Sequence, residues 1–182
     1  MDPDRRRAGL VAAEAAGELP ELLFFWGHRP QRNGRPGAGC LSQWWPSPFT
    51  SDGVEYPTAE HWMMAQKARL FGDAGGIAAV LAAASPGAAK AAGRAVRGFD
   101  ERAWAAARFD LVVAGNVAKF RQNPELGDYL RATRGKVLAE ASPLDRIWGI
   151  GLAAGHPDAA APSRWPGLNL LGFALMAARD SL

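Results

Sequence analysis

The sequence predicts a compact, mainly helical single domain with a few short β-strands. The chain has 182 residues, a usual length for one domain with its own core. Its hydrophobic content of 48% and charged content of 21% are typical of globular proteins. Alanine and glycine are abundant while isoleucine and tyrosine are scarce, a composition that disfavours a large β-sheet.

The first part of the chain is predicted to be an arm, a strand and an arginine-rich loop. Residues 1–20 are polar and rich in alanine, so we expect a flexible, partly helical arm before a domain at 21–182. The apolar run 22–26 is the first predicted strand. The loop 29–35, which begins with Arg29, is either simply solvated or holds phosphate, since guanidinium groups match phosphate oxygens.

A hairpin is then predicted to lead into a helix. Residues 40–49 place aromatic side chains, Trp44 among them, between prolines, either for core packing or as a stacking platform. Asp52-Gly53 stands between two short extended pieces, which indicates a β-hairpin. Thr58 is a good helix N-cap, and the ten residues after it contain no glycine, proline or β-branched residue.

The helix after Thr58 carries the main functional signal. It is apolar on all sides, which is typical of a buried helix, yet it contains Glu60 and Lys67. These residues are seven positions apart, on one face and about 10.5 Å from each other along the axis. Because buried charges are costly unless they are paired or hydrogen-bonded, we expect a substrate between or beside them.

The rest of the chain alternates predicted helices with one strand and one irregular segment. The predicted helices are 75–84, 86–94, 101–122, 125–132 and 170–180, the strand is 136–141, and the irregular segment is 153–167, interpreted as a mobile flap. The longest helix is expected to bury a stripe formed by Trp104, Ala107, Leu111, Ala114 and Ala118. Asn169 is the predicted N-cap of the last helix.

Composition excludes several classes of protein. The single cysteine, Cys40, cannot form an internal disulfide, and the three histidines are scattered, so we expect no metal site and no cofactor. No apolar run has the length of a membrane span or a signal peptide, which predicts a cytoplasmic protein without a membrane partner. The net charge of +3 suits an anionic partner, or equally a solvated basic surface.

Several motifs together resemble a known family. In order they are Tyr56-Pro57-Thr58-Ala59-Glu60-His61, Gln66-Lys67, Lys119-Phe120, Asp145-Arg146-Ile147-Trp148-Gly149-Ile150-Gly151 and Gly167-Leu168-Asn169-Leu170-Leu171-Gly172. Over about residues 24–180 the chain resembles the NADAR family, also called the YbiA-like family. In one departure, Gln43 stands where the family has asparagine, which puts an amide contact from that position in question.

The resemblance implies a mainly helical fold and N-glycosidase activity on ribosylated substrates. Family members cleave phosphorylated intermediates of riboflavin biosynthesis or remove ADP-ribose from guanine in nucleic acid. The expected partner is therefore a small phosphorylated ribosyl or ADP-ribosyl substrate, or an ADP-ribosylated nucleic acid.

Cleavage of an N-ribosyl bond builds charge at C1 and needs a proton for the leaving nitrogen, work that glycosidases assign to two carboxyl groups. Glu60 and Asp145 are the candidate pair. Burial among apolar neighbours is expected to raise the pKa of Glu60 toward neutrality unless a cation offsets it. The structural alternatives are that Glu60 ties down a loop and that Asp145 closes its own loop instead of binding ribose hydroxyls.

Lys67 completes the predicted catalytic set. Its amine either forms a structural salt bridge, acts electrostatically on Glu60 or a phosphate, or forms a Schiff base with an opened ribose. We predict that Glu60, Lys67 and Asp145 are catalytic.

Further residues are predicted to bind the substrate. They are Arg29, Trp44, His61, Trp104, Lys119, Trp148, Gly149 and Asn169. The resemblance implies a tryptophan near the site at Trp104, and Lys119 is expected to meet a phosphate. The structural alternatives are core packing for the tryptophans and a helix cap for Asn169.

Two functions from different classes remain open. The first is an N-glycosidase, a hydrolase that needs no metal. The second is a single-stranded nucleic-acid-binding module without catalysis, suggested by seven tryptophans, the basic pI and the arginine-rich loop. The enzyme is favoured because it explains the predicted burial of Glu60 and Lys67.

Overall fold

The computed structural model describes residues 3–32 and 34–182, so Met1, Asp2 and Asn33 of the predicted arm and loop lie outside the described residues. The chain divides into two compact units. Unit 1 comprises residues 1–42 and 128–182, and unit 2 comprises residues 43–127.

The predicted class, mainly helical with a few short strands, is confirmed. In the described residues the helices are α1 (Pro3–Ala16), α2 (Ala59–Leu70), α3 (Ala74–Leu81), α4 (Pro86–Arg94), α5 (Glu101–Gln122), α6 (Pro124–Ala132) and α7 (Leu170–Asp180), and the strands are β1 (Leu22–Phe25), β2 (Phe49–Ser51), β3 (Val54–Tyr56) and β4 (Val137–Glu140). The predicted bounds of α4, α5 and α7 agree with these. None of the described helices combines the length and the apolar content needed to cross a bilayer.

Unit 1 is built on the parallel pair β1 and β4, with Leu22 opposite Val137 and Phe25 opposite Glu140. Parallel strands end at the same edge of a sheet, so the loops that follow β1 and β4 begin side by side. The hydrogen bond from the Ala141 N–H to the Phe25 carbonyl, 2.9 Å long, joins these two loop origins. Helix α7 packs against β4.

The first segment of the chain makes specific contacts within unit 1. Arg6 forms an ion pair with Asp180, with 3.2 Å between Nη2 and Oδ2. Arg7 donates from Nη1 to the Gly167 carbonyl at 2.9 Å, and Glu14 accepts from the Ser163 N–H at 2.8 Å. These contacts are made by charged side chains and backbone groups. Because they do not depend on an apolar stripe along α1, the hydrophobic periodicity of the sequence could not predict them. The mobility of residues 1–20 and the boundary after residue 20 stay predictions.

The segment 153–167, interpreted as a flap, contains two short 3-10 turns, Pro157–Ala160 and Pro162–Arg164. Trp165 is buried, and its Nε1–H donates to the Ala159 carbonyl at 2.8 Å. The segment is therefore hydrogen-bonded to itself and to α1, and a movement of it would have to break these contacts.

Unit 2 begins with the predicted hairpin of β2 and β3, which pairs Phe49 with Tyr56. Asp52 and Gly53 have φ angles of 50° and 74°, the left-handed conformation that a two-residue hairpin loop requires. The hairpin delivers the chain to α2, where the Thr58 hydroxyl accepts from the His61 N–H as predicted.

Helix α2 is buried among α3, α4 and α5. Two glycines allow its neighbours to approach it closely. A Cβ at Gly93 of α4 would meet the side chain of Met64, and a Cβ at Gly115 of α5 would meet the ring of Trp62. The burial predicted for α2 is confirmed.

The predicted buried stripe of α5 is correct at Trp104, but Ala107, Leu111 and Ala118 are half-buried and the buried face lies about one position further along the helix. Ala114 is exposed, whereas Val112, Gly115, Asn116 and Lys119 are buried. The inward face carries glycine, asparagine and lysine, so a search for apolar residues at helical spacing selects the neighbouring face.

Candidate active site

Glu60 lies in the first turn of α2 and is 2% exposed. Its N–H donates to the Gln43 carbonyl at 2.9 Å. The side chain of Gln43 donates to Asn116 Oδ1 at 3.1 Å, and the Asn116 amide donates to the Val112 carbonyl at 2.8 Å. We call Gln43, Glu60 and Asn116 the amide cluster. The N-terminal end of α2 also favours a negative charge at Glu60.

Lys119 lies one turn after Asn116 on α5 and is fully buried, with Nζ 4.9 Å from the centroid of the Phe120 ring. A substrate phosphate could reach this amine only after the surrounding side chains had moved. The phosphate contact therefore stays a prediction that the geometry does not favour.

Lys67 is half-buried and has different neighbours from Glu60. Its Nζ donates to the Gly93 carbonyl at 2.8 Å and lies 4.1 Å from the centroid of Phe99 and 5.9 Å from that of Trp104. Burial lowers the pKa of Lys67, and the negative charge of Glu101 partly opposes that effect. We call Lys67, Phe99, Glu101 and Trp104 the lysine cluster. The contacts of this amine are thus a backbone carbonyl and the faces of two aromatic rings.

His61 is engaged on both ring nitrogens. Nε2 donates to the Ala83 carbonyl at 3.1 Å, which leaves Nδ1 to accept from the Thr58 hydroxyl at 2.8 Å. These bonds hold the imidazole between the start of α2 and the residues after α3. These two hydrogen bonds give His61 a structural role, and its predicted contact with the substrate stays a prediction.

Trp44 is half-buried beside α4. A Cβ at Gly87 would lie 3.6 Å from its ring, and Nζ of Lys90 lies 6.0 Å from the ring centroid. Part of the ring is accessible, so a stacking role for Trp44 stays a prediction.

In unit 1, Asp145 closes its own loop after β4, which is the structural alternative to binding ribose hydroxyls. Asp145 Oδ1 accepts from the N–H groups of Ile147 at 2.9 Å and Trp148 at 2.8 Å. A Cβ at Gly149 would lie 2.9 Å from the Glu140 carbonyl oxygen, so only glycine fits there without a shift. The loop thus presents Asp145 and Trp148, both half-buried, in a defined conformation.

Arg29 is exposed in the loop after β1. Because β1 and β4 are parallel, this loop leaves the same edge of the sheet as the loop of Asp145 and Trp148. Ligands often bind at the carboxyl ends of parallel strands. Within unit 1, three of the predicted site residues therefore belong to one edge.

Asn169 is the N-cap residue of α7, as predicted, but its side chain makes no capping hydrogen bond. Its Oδ1 accepts from the Glu140 N–H at 3.0 Å, and its Nδ2 donates to the Leu138 carbonyl at 2.9 Å. The N–H groups of Val137 and Ala141 donate toward β1. The Asn169 amide therefore satisfies backbone groups on the opposite edge of β4. The predicted substrate contact stays a prediction.

The comparison with known families decides the identity of the fold. The model of the NADAR domain matches residues 24–182. The chain belongs to the NADAR family.

Several proteins that are similar to this NADAR chain are named as enzymes. An N-glycosidase of Acanthamoeba polyphaga mimivirus is 40% identical over 168 residues, which cover 90% of this chain and 97% of that protein. N-glycosidase YbiA of Escherichia coli is 32% identical over 135 residues, covering 74% of this chain and 76% of that protein. The solution NMR structure of E. coli YbiA has a TM-score of 0.71 at 28% identity and covers 89% of this chain and 84% of that one.

A chloroplastic riboflavin biosynthesis protein of Zea mays, PYRR, is 32% identical over 143 residues, which cover 72% of this chain but 20% of that longer protein. The expected enzyme class, a hydrolase of N-glycosidic bonds, is confirmed by the relatives named N-glycosidase. They do not favour the second reading, a binding module without catalysis.

Four members of the two clusters in this NADAR chain were not among the predicted site residues: Gln43, noted in the sequence only as a departure from the family, Asn116, Phe99 and Glu101. Asn116 could have been noticed, because it and Lys119 are polar residues one turn apart in a helix otherwise rich in apolar side chains. Phe99 and Glu101 stand close in sequence to Trp104, but nothing local indicates that they surround Lys67. Among residues 3–32 and 34–182, no three His, Cys, Asp or Glu side chains are grouped to hold a metal ion.

Proposed function

We propose that this NADAR protein hydrolyses the N-glycosidic bond of a phosphorylated ribosylamine, of the kind formed in riboflavin biosynthesis. Lys67 and Glu60 act at the bond, and the ribose contact of Asp145 stays a prediction. The observation that carries the assignment is the half-buried amine of Lys67, which lies near two aromatic rings and has its pKa lowered by burial. The names of the N-glycosidase and riboflavin-biosynthesis relatives support the substrate class.

A lowered pKa gives Lys67 a larger fraction of neutral amine, which is the nucleophilic form. In a ribosylamine the ring opens when the bond between the ring oxygen and C1 breaks, leaving an iminium between C1 and the base nitrogen. The Lys67 amine adds to C1, the base leaves as a free amine after gaining a proton, and a Schiff base joins Lys67 to the sugar. Water then adds to C1, the bond between C1 and Nζ of Lys67 breaks, and ribose phosphate leaves while the Lys67 amine is regenerated.

Glu60 is the candidate for moving protons in this sequence. As a carboxylic acid it protonates the departing nitrogen, and as a carboxylate it takes a proton from the attacking water. Glu60 and Lys67 are separated by two turns of α2, so both side chains have to converge on the bond between C1 and the base nitrogen of one bound substrate.

The test is an assay of wild type, Glu60→Gln, Lys67→Ala and Lys67→Arg on both a phosphorylated ribosylamine and ADP-ribosylated guanine, read by release of ribose phosphate or ADP-ribose. We expect wild type to cleave the ribosylamine and Glu60→Gln to lose roughly 100-fold or more in kcat. Lys67→Arg keeps the charge but has no nucleophilic amine, so we expect it to be as inactive as Lys67→Ala.

Borohydride should trap a protein–ribose adduct in wild type and not in either Lys67 variant. Glu55→Gln and Lys136→Ala are matched controls, because both residues lie outside the two clusters. If wild type cleaves only ADP-ribosylated guanine, that substrate replaces the phosphorylated ribosylamine in the proposed function. If wild type cleaves neither substrate, or if Lys67→Ala turns over normally, the proposed function is wrong.

A further inference from the structure

We propose that Phe99 is a positioning residue for the Lys67 amine, and that the Asp73–Arg97 ion pair holds Phe99 in place. This inference rests on the proposed function, because the amine it positions is the proposed nucleophile. Neither Phe99 nor the ion pair belongs to the predicted catalytic or substrate-binding residues.

The contact of Lys67 with Phe99 is closer than its contact with Trp104. Nζ lies 4.1 Å from the Phe99 centroid, well inside the roughly 6 Å range in which a cation is attracted to a ring face. The hydrogen bond to the Gly93 carbonyl directs one N–H of the amine, and the ring of Phe99 limits where the rest of the ammonium group can go. Together these two contacts define the location of the amine.

Phe99 is not held in place by burial, because it is 43% exposed. Its ring meets Phe71 edge to face, with 5.4 Å between the centroids and 69° between the planes. Gly98 before it has a φ of 70°, a left-handed conformation that turns the chain at this point. The position of the ring therefore depends on how the backbone of residues 97–99 is anchored.

The Asp73 carboxylate provides that anchor. Its Oδ2 accepts from the Arg97 N–H at 2.9 Å, and its Oδ1 accepts from Nε at 3.1 Å and Nη2 at 2.7 Å of the same residue. Asp73 follows Phe71 by two residues and Arg97 precedes Phe99 by two, so the ion pair ties the two aromatic segments together. The side chain of Asp73 is 4% exposed and that of Arg97 is 79% exposed.

The ion pair persists over a wide range of pH. Hydrogen bonds from the Arg97 side chain and backbone hold the pKa of Asp73 well below its usual range. Asp73 therefore stays ionised, and Phe99 stays anchored, wherever the Lys67 amine titrates. The negative charge of Glu101 on α5 opposes the lowering of the Lys67 pKa by burial, and the Arg97 guanidinium is paired with Asp73.

The first experiment titrates the four lysine side chains by NMR in the full-length protein, with the Lys67 signal assigned by its loss in Lys67→Arg. Phe99→Leu keeps an apolar side chain but removes the ring face that favours the charged amine. We expect the pKa of Lys67 to fall by about half a unit. We also expect kcat to fall about tenfold with little change in KM, since a displaced nucleophile costs rate rather than binding. Phe99→Tyr should restore both values.

Asp73→Asn tests the anchor. Asp73→Asn alone should lower the pKa of Lys67 and kcat, as Phe99→Leu does. In the double variant with Phe99→Leu, Asp73→Asn should change neither quantity further, because Asp73 acts through Phe99. Arg97→Lys keeps the charge without the guanidinium fork and should fall between wild type and Asp73→Asn. Leu81→Ala, an exposed apolar residue on α3, and Arg131→Gln, from an exposed ion pair, are the controls.

An unchanged pKa and kcat in Phe99→Leu would overturn the inference, and so would a change in thermal stability alone. Full additivity of Asp73→Asn and Phe99→Leu would remove the anchoring role of the ion pair. The proposed function fails separately: if Lys67→Ala is fully active while Phe99→Leu still shifts the pKa of Lys67, Phe99 positions an amine that is not the nucleophile.

Discussion

At the scale of single residues, Asn169 performs a task that a neighbouring strand usually performs. Its side-chain amide hydrogen-bonds with the carbonyl of Leu138 and the N–H of Glu140, on the edge of β4 that β1 leaves open. Its φ of 54° lies in the left-handed region, which asparagine tolerates better than most residues. One buried residue thus contributes both an amide and an unusual backbone conformation.

These two contributions can be separated by substitution. Asn169→Gly keeps the backbone conformation but loses both amide bonds, so we expect it to lower the free energy of unfolding by about 1–3 kcal/mol. Asn169→Ala loses the same bonds and is also strained by a positive φ, so it should lower that free energy by a further ~1 kcal/mol. Urea denaturation of both variants measures the difference.

Equal stability of the glycine and alanine variants would show that the backbone conformation contributes nothing. The same proteins test the predicted substrate contact. A loss of kcat/KM in the fully folded variants, beyond the fraction unfolded, would support Asn169 as a ligand, and unchanged kinetics would leave it a structural residue.

At the scale of the elements, α2 depends on close approach by α4 and α5. Gly93 and Gly115 face Met64 and Trp62 of α2, and at both positions a Cβ would overlap the facing side chain. Trp62 Nε1 also donates to the Leu111 carbonyl of α5 at 3.0 Å. This packing brings the Gly93 carbonyl within reach of Lys67, so the helix contacts and the candidate site are coupled.

Replacement of Gly115 by alanine should therefore destabilise the protein. Alanine in place of glycine normally stabilises a helix by about 0.5–1 kcal/mol. At this position the added methyl group would overlap Trp62, and overpacking costs about 1–3 kcal/mol. We expect a lower Tm for Gly115→Ala in thermal unfolding.

Gly9→Ala is the matched control, since Gly9 lies inside α1 and a Cβ there meets nothing within 4 Å. It should leave the Tm unchanged or raise it. If Gly115→Ala is also stabilising, α5 can move away from α2 at little cost and the close packing described here is not essential.

At the scale of the whole molecule, the predicted catalytic residues are distributed over both units, with Glu60 and Lys67 in unit 2 and Asp145 in unit 1. Unit 1 is itself formed from two separate stretches of the chain. Within it, α1 contacts the distant segment around residues 162–168 through Arg7 and Glu14. The N-terminal helix is thereby part of unit 1.

Arg7→Ala should loosen this connection. The substitution removes the hydrogen bonds from the guanidinium to the carbonyls of Trp165 and Gly167. We expect faster backbone hydrogen exchange at residues 162–168, measured by mass spectrometry, and no change in α2. Arg5→Ala, an exposed residue of the same helix, is the control. Unchanged exchange in Arg7→Ala would instead support the predicted flexible arm.

Much of the fold could be predicted because its signals are local. Asp100 accepts from the Ala103 N–H at the start of α5, and Asn123-Pro124 follows its last residue, so both ends are marked in the sequence. Asp52-Gly53 likewise specifies the hairpin loop. For the candidate site, the sequence predicted the two motif residues Glu60 and Lys67, because they are charges on an otherwise apolar helix.

The sequence by itself determined the helices after residue 58, the hairpin, the family and the two charges on α2, because caps, turns and periodicity act over a few residues. Tertiary structure alone decided which groups meet those charges. The Gly93 carbonyl and the Phe99 ring reach Lys67 from 26 and 32 positions further along the chain, and Asn169 reaches β4 across about 30 residues. Such contacts depend on how helices pack against one another, for which residue type and local spacing contain no direct signal.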